Sequence, residues 1–210
     1  MSVERVLKTL GRRYHGPGDT HLDTPEDTLL ATLLSARTTD KQTLAAFPAF
    51  RKRFPTWKKL ADADWTEIAK TIDTIGLYRQ KAKAINKLAR MMLEEYDGRV
   101  PSTMEELTRL PGVGRKTASV VLSFVFGIPA IAVDTHVFRI ARRLGWTKGK
   151  DPVRVERELM ELVPKRLWSK INRVMVPFGR DVCRAPTPQC WRCPVAKWCA
   201  YPKKTEKPNN

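Results

Sequence analysis

Apolar residues recur at helical spacing along almost the whole chain. Leu29, Leu30, Leu33 and Leu34 form one face, and Ile85, Leu88, Ala89 and Met92 form another, the i, i+3, i+4 rhythm of amphipathic helices. Strand-like alternation is hard to find. Start signals agree with this rhythm. Thr24 precedes Pro25, Glu26 and Asp27, a capping residue followed by proline at the first helical position and by acids against the positive dipole end. Ser102 with Glu105 predicts a capping box ahead of a helix over Thr103 to Leu110. The pattern predicts about ten short helices and an all-α class.

The rhythm lapses after Val182, where cysteine, proline and basic residues take over and predict a loop-rich module. The stretch after Tyr201, PKKTEKPNN, is polar and proline-containing, so residues 202–210 are expected to be disordered. The longest uncharged run, Thr117 to Val133, is interrupted by Gly127 and Pro129 and falls short of the roughly 20 residues that a spanning helix needs. The opening MSVERVLKTL has no apolar core after its first charges, unlike a secretion signal. A cytoplasmic protein is expected.

Charge narrows the choice of partner. The 210 residues contain 39 Lys and Arg against 22 Asp and Glu, a formal charge of +17, and 42% are hydrophobic. That is enough for a buried core, with far more positive charge than solubility requires. A polyanion is implied, nucleic acid first and an anionic membrane surface second.

Two segments carry candidate chemistry. LPGVGRKTA, Leu110 to Ala118, joins two helices through Pro111, Gly112, Val113 and Gly114, with Arg115 and Lys116 opening the second helix. Free amides at a helix start, with the dipole and two cations beside them, form a phosphate site that reads no base. Ala118, Val121, Leu122 and Val125 would anchor the other face of that helix in a core. An ordinary αα-hairpin with two glycines is the plain alternative. The second segment holds Cys183, Cys190, Cys193 and Cys199, spaced C-x6-C-x2-C-x5-C within 17 residues. Clustered thiols suit a metal centre more than a disulfide framework. Only one close pair is present, so the spacing favours an iron–sulfur cluster over structural zinc, with two local disulfides as the remaining alternative.

Leu33 to Asp40, Ile75 to Tyr78, the hairpin, Ile131 to Arg139 with its VDTHVFR, and the four cysteines occur in one order and spacing. In these segments the chain resembles the endonuclease III family of helix-hairpin-helix DNA glycosylases over nearly its whole length. The resemblance implies a two-lobed all-α fold with a carboxy-terminal iron–sulfur loop. It would comprise residues 25–130 with the hairpin, residues 1–24 plus 131–182 as a second lobe, and residues 183–199 as the loop around a 4Fe-4S cluster. The active-site cleft would lie between the lobes, with Lys116 and Asp134 on opposite sides.

On the residues alone, Lys116 reads equally well as a phosphate-binding lysine, and Asp134 as the N-cap of a helix carrying Val137, Ile140, Ala141 and Leu144. The resemblance makes Lys116 the Schiff-base nucleophile and Asp134 the catalytic carboxylate; His136, two residues on, reads as a packing or hydrogen-bonding residue with a supporting role at most. The resemblance also makes Leu77 a wedge in the base stack and places Arg37 where the family commonly has glutamine. Arginine only donates hydrogen bonds, whereas glutamine also accepts. Phe178 stands where histidine is expected, and Arg184 is the one basic residue between the first two cysteines. The implied DNA-binding set is Arg37, Leu77, Gly112, Val113, Gly114, Arg115 and Arg184.

The implied activity is that of a bifunctional glycosylase and abasic-site lyase. It would act as a monomer on double-stranded DNA bearing oxidised pyrimidines or abasic sites. Two rival readings are an adenine-mismatch glycosylase of the same fold, whose members lack this lysine, and a noncatalytic DNA-binding module.

Overall fold

The computed structural model describes residues 2–14, 22, 24–38 and 40–208, with Asp40 as backbone only. Thr39, in the segment Ser35 to Asp40, lies outside the described residues. Among those described there are eleven α-helices, three single-turn 3-10 helices and no strand. The α-helices are α1 (Val3–Gly11), α2 (Pro25–Ser35), α3 (Asp40–Arg53), α4 (Trp57–Asp62), α5 (Trp65–Thr71), α6 (Tyr78–Glu95), α7 (Met104–Arg109), α8 (Arg115–Phe124), α9 (Thr135–Arg143), α10 (Pro152–Leu162) and α11 (Trp168–Asp181). None is long and apolar enough to cross a membrane.

Caps set the helix boundaries. Thr24 accepts from the Asp27 N–H at 3.1 Å and so caps α2, where Pro25 removes an N–H that would have no helical partner. The N-cap of α7 falls one residue later than the sequence predicted. Thr103, not Ser102, accepts from the Glu106 N–H at 3.2 Å, and its hydroxyl donates to the Glu106 carboxylate at 2.6 Å. Both pairs have the required spacing, but only Thr103 adjoins the first residue in helical conformation.

The chain divides into two compact units, residues 19–126 and residues 1–18 with 127–210. In the first unit, α6 packs against α4 and α5, and α8 packs against α2 and α7. Ile85, Leu88, Ala89 and Met92 are fully buried. Helix α2 is buried from Thr28 to Ser35 on all its faces, so it forms the centre of this unit rather than an amphipathic wall. In the second unit α11 packs on α1 and α9, and α10 on α9. Val137, Ile140 and Ala141 share a core there with Val6, Leu10 and Met175. Phe178 is buried in the same core, tilted 58° against Tyr14 at 5.5 Å, which accounts for an aromatic hydrocarbon at that position.

In the stretch after Tyr201, expected to be disordered, Thr205 is bonded to the cysteine segment, and residues 209–210 lie outside the described residues. The Thr205 hydroxyl donates to the Pro188 carbonyl at 2.6 Å and accepts from the Cys190 N–H at 3.0 Å. These two bonds tie the chain end onto the cysteine segment.

Candidate nucleic-acid interface and cysteine centre

The hairpin between α7 and α8 is built from inside outward. Leu110 and Val113 are buried, and the Val113 N–H donates to the Leu110 carbonyl at 3.0 Å, so Val113 anchors the turn rather than facing out. Gly112 has φ of +78°, and a Cβ on it would lie 2.9 Å from the Ala84 Cβ and 3.2 Å from Leu33. Only glycine meets both demands. Gly114, with φ of −97°, is not required by backbone conformation. It caps α8 with no side chain of its own, and nothing lies within 4 Å of where its Cβ would be. Arg115 and Lys116 follow, both exposed in the first turn of α8, which contains no acid. Open space, helix-start amides and two cations together make an anion site.

Asp134 is the N-cap of α9. Its Oδ1 accepts from the Val137 N–H at 2.7 Å, and the residue is half-buried. His136 lies in the first turn of α9, its Nδ1 3.0 Å from the Arg139 guanidinium. Arg139 in turn donates to the carbonyls of Gly179 at 3.1 Å and Cys183 at 3.0 Å. Arg139 thus pins His136 and the start of the cysteine segment to one helix, a role that the sequence reading missed.

Among the described residues, the first unit has left-handed backbone at three residues other than glycine, Arg37, Leu77 and Asp97, the first two in loops that meet. Leu77, the N-cap of α6, has φ of +61° and is 45% exposed; Arg37, after α2, has φ of +54° and is also exposed. A branched side chain in that region is strained, and leucine is among the poorest caps. The loops touch: a Cβ at Gly76 would lie 3.0 Å from the Arg37 carbonyl. Beneath them Lys81, only 6% exposed, donates to the Leu34 carbonyl at 2.7 Å and to the Thr38 hydroxyl at 2.9 Å. Burial lowers its ammonium to about 8. The sequence reading passed over Lys81, although it lies at helical spacing from Ile85, Leu88 and Met92 on an otherwise apolar stripe.

All four cysteines line one pocket, together with Arg143, Tyr201 and Lys204. They are half-buried and unpaired by disulfide, which sets aside the local-disulfide alternative. Burial pushes the Cys193 thiol up to about 11 and raises that of Cys199. No three groups among the described residues sit so as to hold a single metal ion. Arg143 organises the segment, donating to the Cys183 sulfur at 3.3 Å and the Arg184 carbonyl at 2.8 Å, with Tyr201 4.7 Å beneath its guanidinium. Arg184 turns back on α11, its Nε donating to the Arg180 and Asp181 carbonyls at 3.0 and 2.9 Å.

Comparison with known proteins gives concordant findings. Residues 30–165 match the family described as HhH-GPD superfamily base excision DNA repair protein. The chain is 47% identical over 198 residues to an endonuclease III of Synechocystis sp., covering 92% of this chain and 90% of the relative. It is 40% identical over 205 residues to an endonuclease III of Thermotoga maritima, covering 98% and 95%. A trapped endonuclease III–DNA covalent intermediate superposes with a TM-score of 0.88 at 39% identity, covering 94% of each chain. A thermostable thymine-DNA glycosylase superposes with a TM-score of 0.81 at 27% identity, covering 95% and 94%.

Proposed function

The chain belongs to the endonuclease III family of HhH-GPD base excision DNA repair proteins, and from that premise we propose how its residues carry out glycosylase and abasic-site lyase chemistry. The substrate is duplex DNA carrying an oxidised pyrimidine, and the protein acts as a monomer. The observation that carries the reading is Lys116, exposed in the first turn of α8 directly after a hairpin shaped for phosphate.

The hairpin holds the strand. Gly114 leaves the first amides of α8 uncovered, and the positive end of the helix faces the phosphate. The target nucleotide leaves the stack, since its anomeric carbon is unreachable inside a duplex. Leu77 and Arg37 fill the space it vacates. Departure of the base develops positive charge on the sugar, which the Asp134 carboxylate stabilises. The uncharged Lys116 amine forms a bond to the anomeric carbon as the bond to the base breaks, its proton passing to the departing base, and the C1′–O4′ bond then opens, with O4′ taking up a proton, to leave a protonated imine. Loss of a C2′ proton then expels the 3′ phosphate, and water releases the lysine. No electron enters or leaves in this sequence.

Cys183, Cys190, Cys193 and Cys199 would hold a 4Fe-4S cluster. Four thiols around one shared pocket, with only one close pair in their spacing, support that assignment. Bound there, the cluster supplies a cross-link to a segment whose only regular elements are two single-turn helices.

Borohydride trapping on abasic duplex tests the reading. The wild-type protein should form a covalent adduct and Lys116→Ala should form none, while binding stays close to wild type because the hairpin amides remain. An adduct that survives the substitution would place the nucleophile elsewhere. No adduct with the wild type would favour an adenine-mismatch glycosylase or a noncatalytic module.

A further inference from the structure

We propose that Lys81 is a positioning residue that couples the two DNA-inserting loops, so that Arg37 and Leu77 enter the base stack as one rigid piece. The inference rests on the reading of those two residues given above. It starts from what each helix end lacks. Helix α2 has no basic residue in its last turn, and α6 has neither a side-chain cap nor an acid in its first. The end of α2 presents carbonyls without helical partners and a negative dipole end. The Lys81 ammonium supplies the missing cation from the neighbouring helix, at 2.7 Å from the Leu34 carbonyl.

Its second bond, 2.9 Å to the Thr38 hydroxyl, reaches the residue after Arg37. Lys81 itself lies one turn beyond Leu77, and its N–H donates to the Leu77 carbonyl at 3.0 Å. The Lys81 side chain therefore ties the residue after Arg37 to the first turn of α6, the helix whose N-cap is Leu77. Contact of Gly76 with the Arg37 carbonyl and the Thr38 hydroxyl, where a Cβ would meet them at 3.0 and 3.2 Å, closes the same unit from the other side. Burying an ammonium is unfavourable unless its protons find acceptors. A methionine would fill this site on an apolar stripe without that penalty. Holding strained, exposed residues in place against the stack is a reason for the charge.

The test is a double-substitution cycle read by insertion as well as by chemistry. A duplex carries a stable abasic analogue opposite 2-aminopurine, whose fluorescence reports entry of side chains into the stack. Lys81→Met should reduce the fluorescence change at saturating protein and slow single-turnover excision by about 10- to 100-fold. In a Leu77→Ala, Arg37→Ala background the same substitution should change either readout less than about twofold, since coupled residues do not add. Full additivity, or loss of stability with unchanged fluorescence, would leave Lys81 a purely structural residue and overturn the proposal. Thr38→Val, which removes only the loop end of the contact, should give the same pattern if Lys81→Met does not fold. Insertion fluorescence does not depend on turnover, so a wild-type protein that inserts without trapping abasic DNA would refute the activity and not this coupling. A wild-type protein that gives no fluorescence change would refute both loops' role.

Discussion

Asp134 holds two positions at once, and substitutions can separate them. Its Oδ1 caps α9 through the Val137 N–H at 2.7 Å, while the proposed chemistry needs its negative charge beside the sugar. Asparagine retains the accepting oxygen and is as good a cap as aspartate. Alanine removes cap and charge together. Losing a cap costs about 1 kcal/mol, which in a chain of this size lowers Tm by about 2–4 °C. Losing one preorganised electrostatic stabiliser slows the chemical step by about 10²- to 10³-fold, equal to about 3–4 kcal/mol.

Asp134→Asn should therefore melt within about 1 °C of wild type and bind DNA as well, yet excise a base at least 100-fold more slowly in single turnover. Asp134→Ala should show the same kinetic loss with the additional drop in Tm. Calorimetry and quenched-flow excision on one lesion-bearing duplex measure the two axes separately. The reasoning fails if Asp134→Asn excises at a near-normal rate while Asp134→Ala loses stability and rate together. That pattern would make the residue a cap and nothing more.

Three further outcomes are expected. Purified protein should contain about four irons per chain, Cys193→Ser should lower both iron content and Tm, and stoichiometric zinc in iron-replete protein would overturn the cluster assignment. Arg37→Gln should shrink a preference for lesions opposite guanine by no more than about 1–3 kcal/mol, measured as single-turnover excision opposite all four bases; identical profiles for both proteins would mean that Arg37 reads no base. Burial lowers the Lys81 ammonium from 10.5 to about 8, so between those values the unfolded chain binds the extra proton and folding becomes more favourable as pH rises. Urea unfolding at pH 7.5 and 10 should show wild type gaining on Lys81→Met, and parallel changes would refute the assignment of the shift to this group.

Periodicity made the helices legible because burial selects one face of a 3.6-residue repeat, and α6 and α9 bury the residues it marked: Ile85, Leu88, Met92, Val137, Ile140 and Ala141. It was less informative for α2, which is buried all round and so has no polar face to set its phase. The α7 cap shifted by one residue because Ser102 and Thr103 each have a glutamate three positions on. Only backbone conformation decides between them. Polarity predicted disorder for residues 202–210 and could not report an anchor within them: the Thr205 hydroxyl, which makes two bonds to the cysteine segment. Polarity is a property of the segment, whereas that anchor is one atom.

Among the candidate site residues, those tied to local chain geometry were legible, and those defined by tertiary contact were not. Gly112 sits at a positive φ inside a turn, and Asp134 begins a helix; both are statements about a few adjacent residues. Lys81, Arg139 and Arg143 act across gaps of 40 or more positions, to Leu34, Gly179 and Cys183, and an isolated basic residue in a chain of charge +17 does not advertise such a partner. The strain at Leu77 and Arg37 was hidden for a related reason. Neither residue type favours a left-handed backbone, so local preference argues against the observed conformation, and only the packing of Gly76 and Lys81 behind the two loops overrides it. Departure from local preference is therefore informative here. Two of its three instances, Arg37 and Leu77, are exposed side chains that the proposed chemistry requires to enter the duplex; the third, Asp97, is of a residue type that tolerates this backbone.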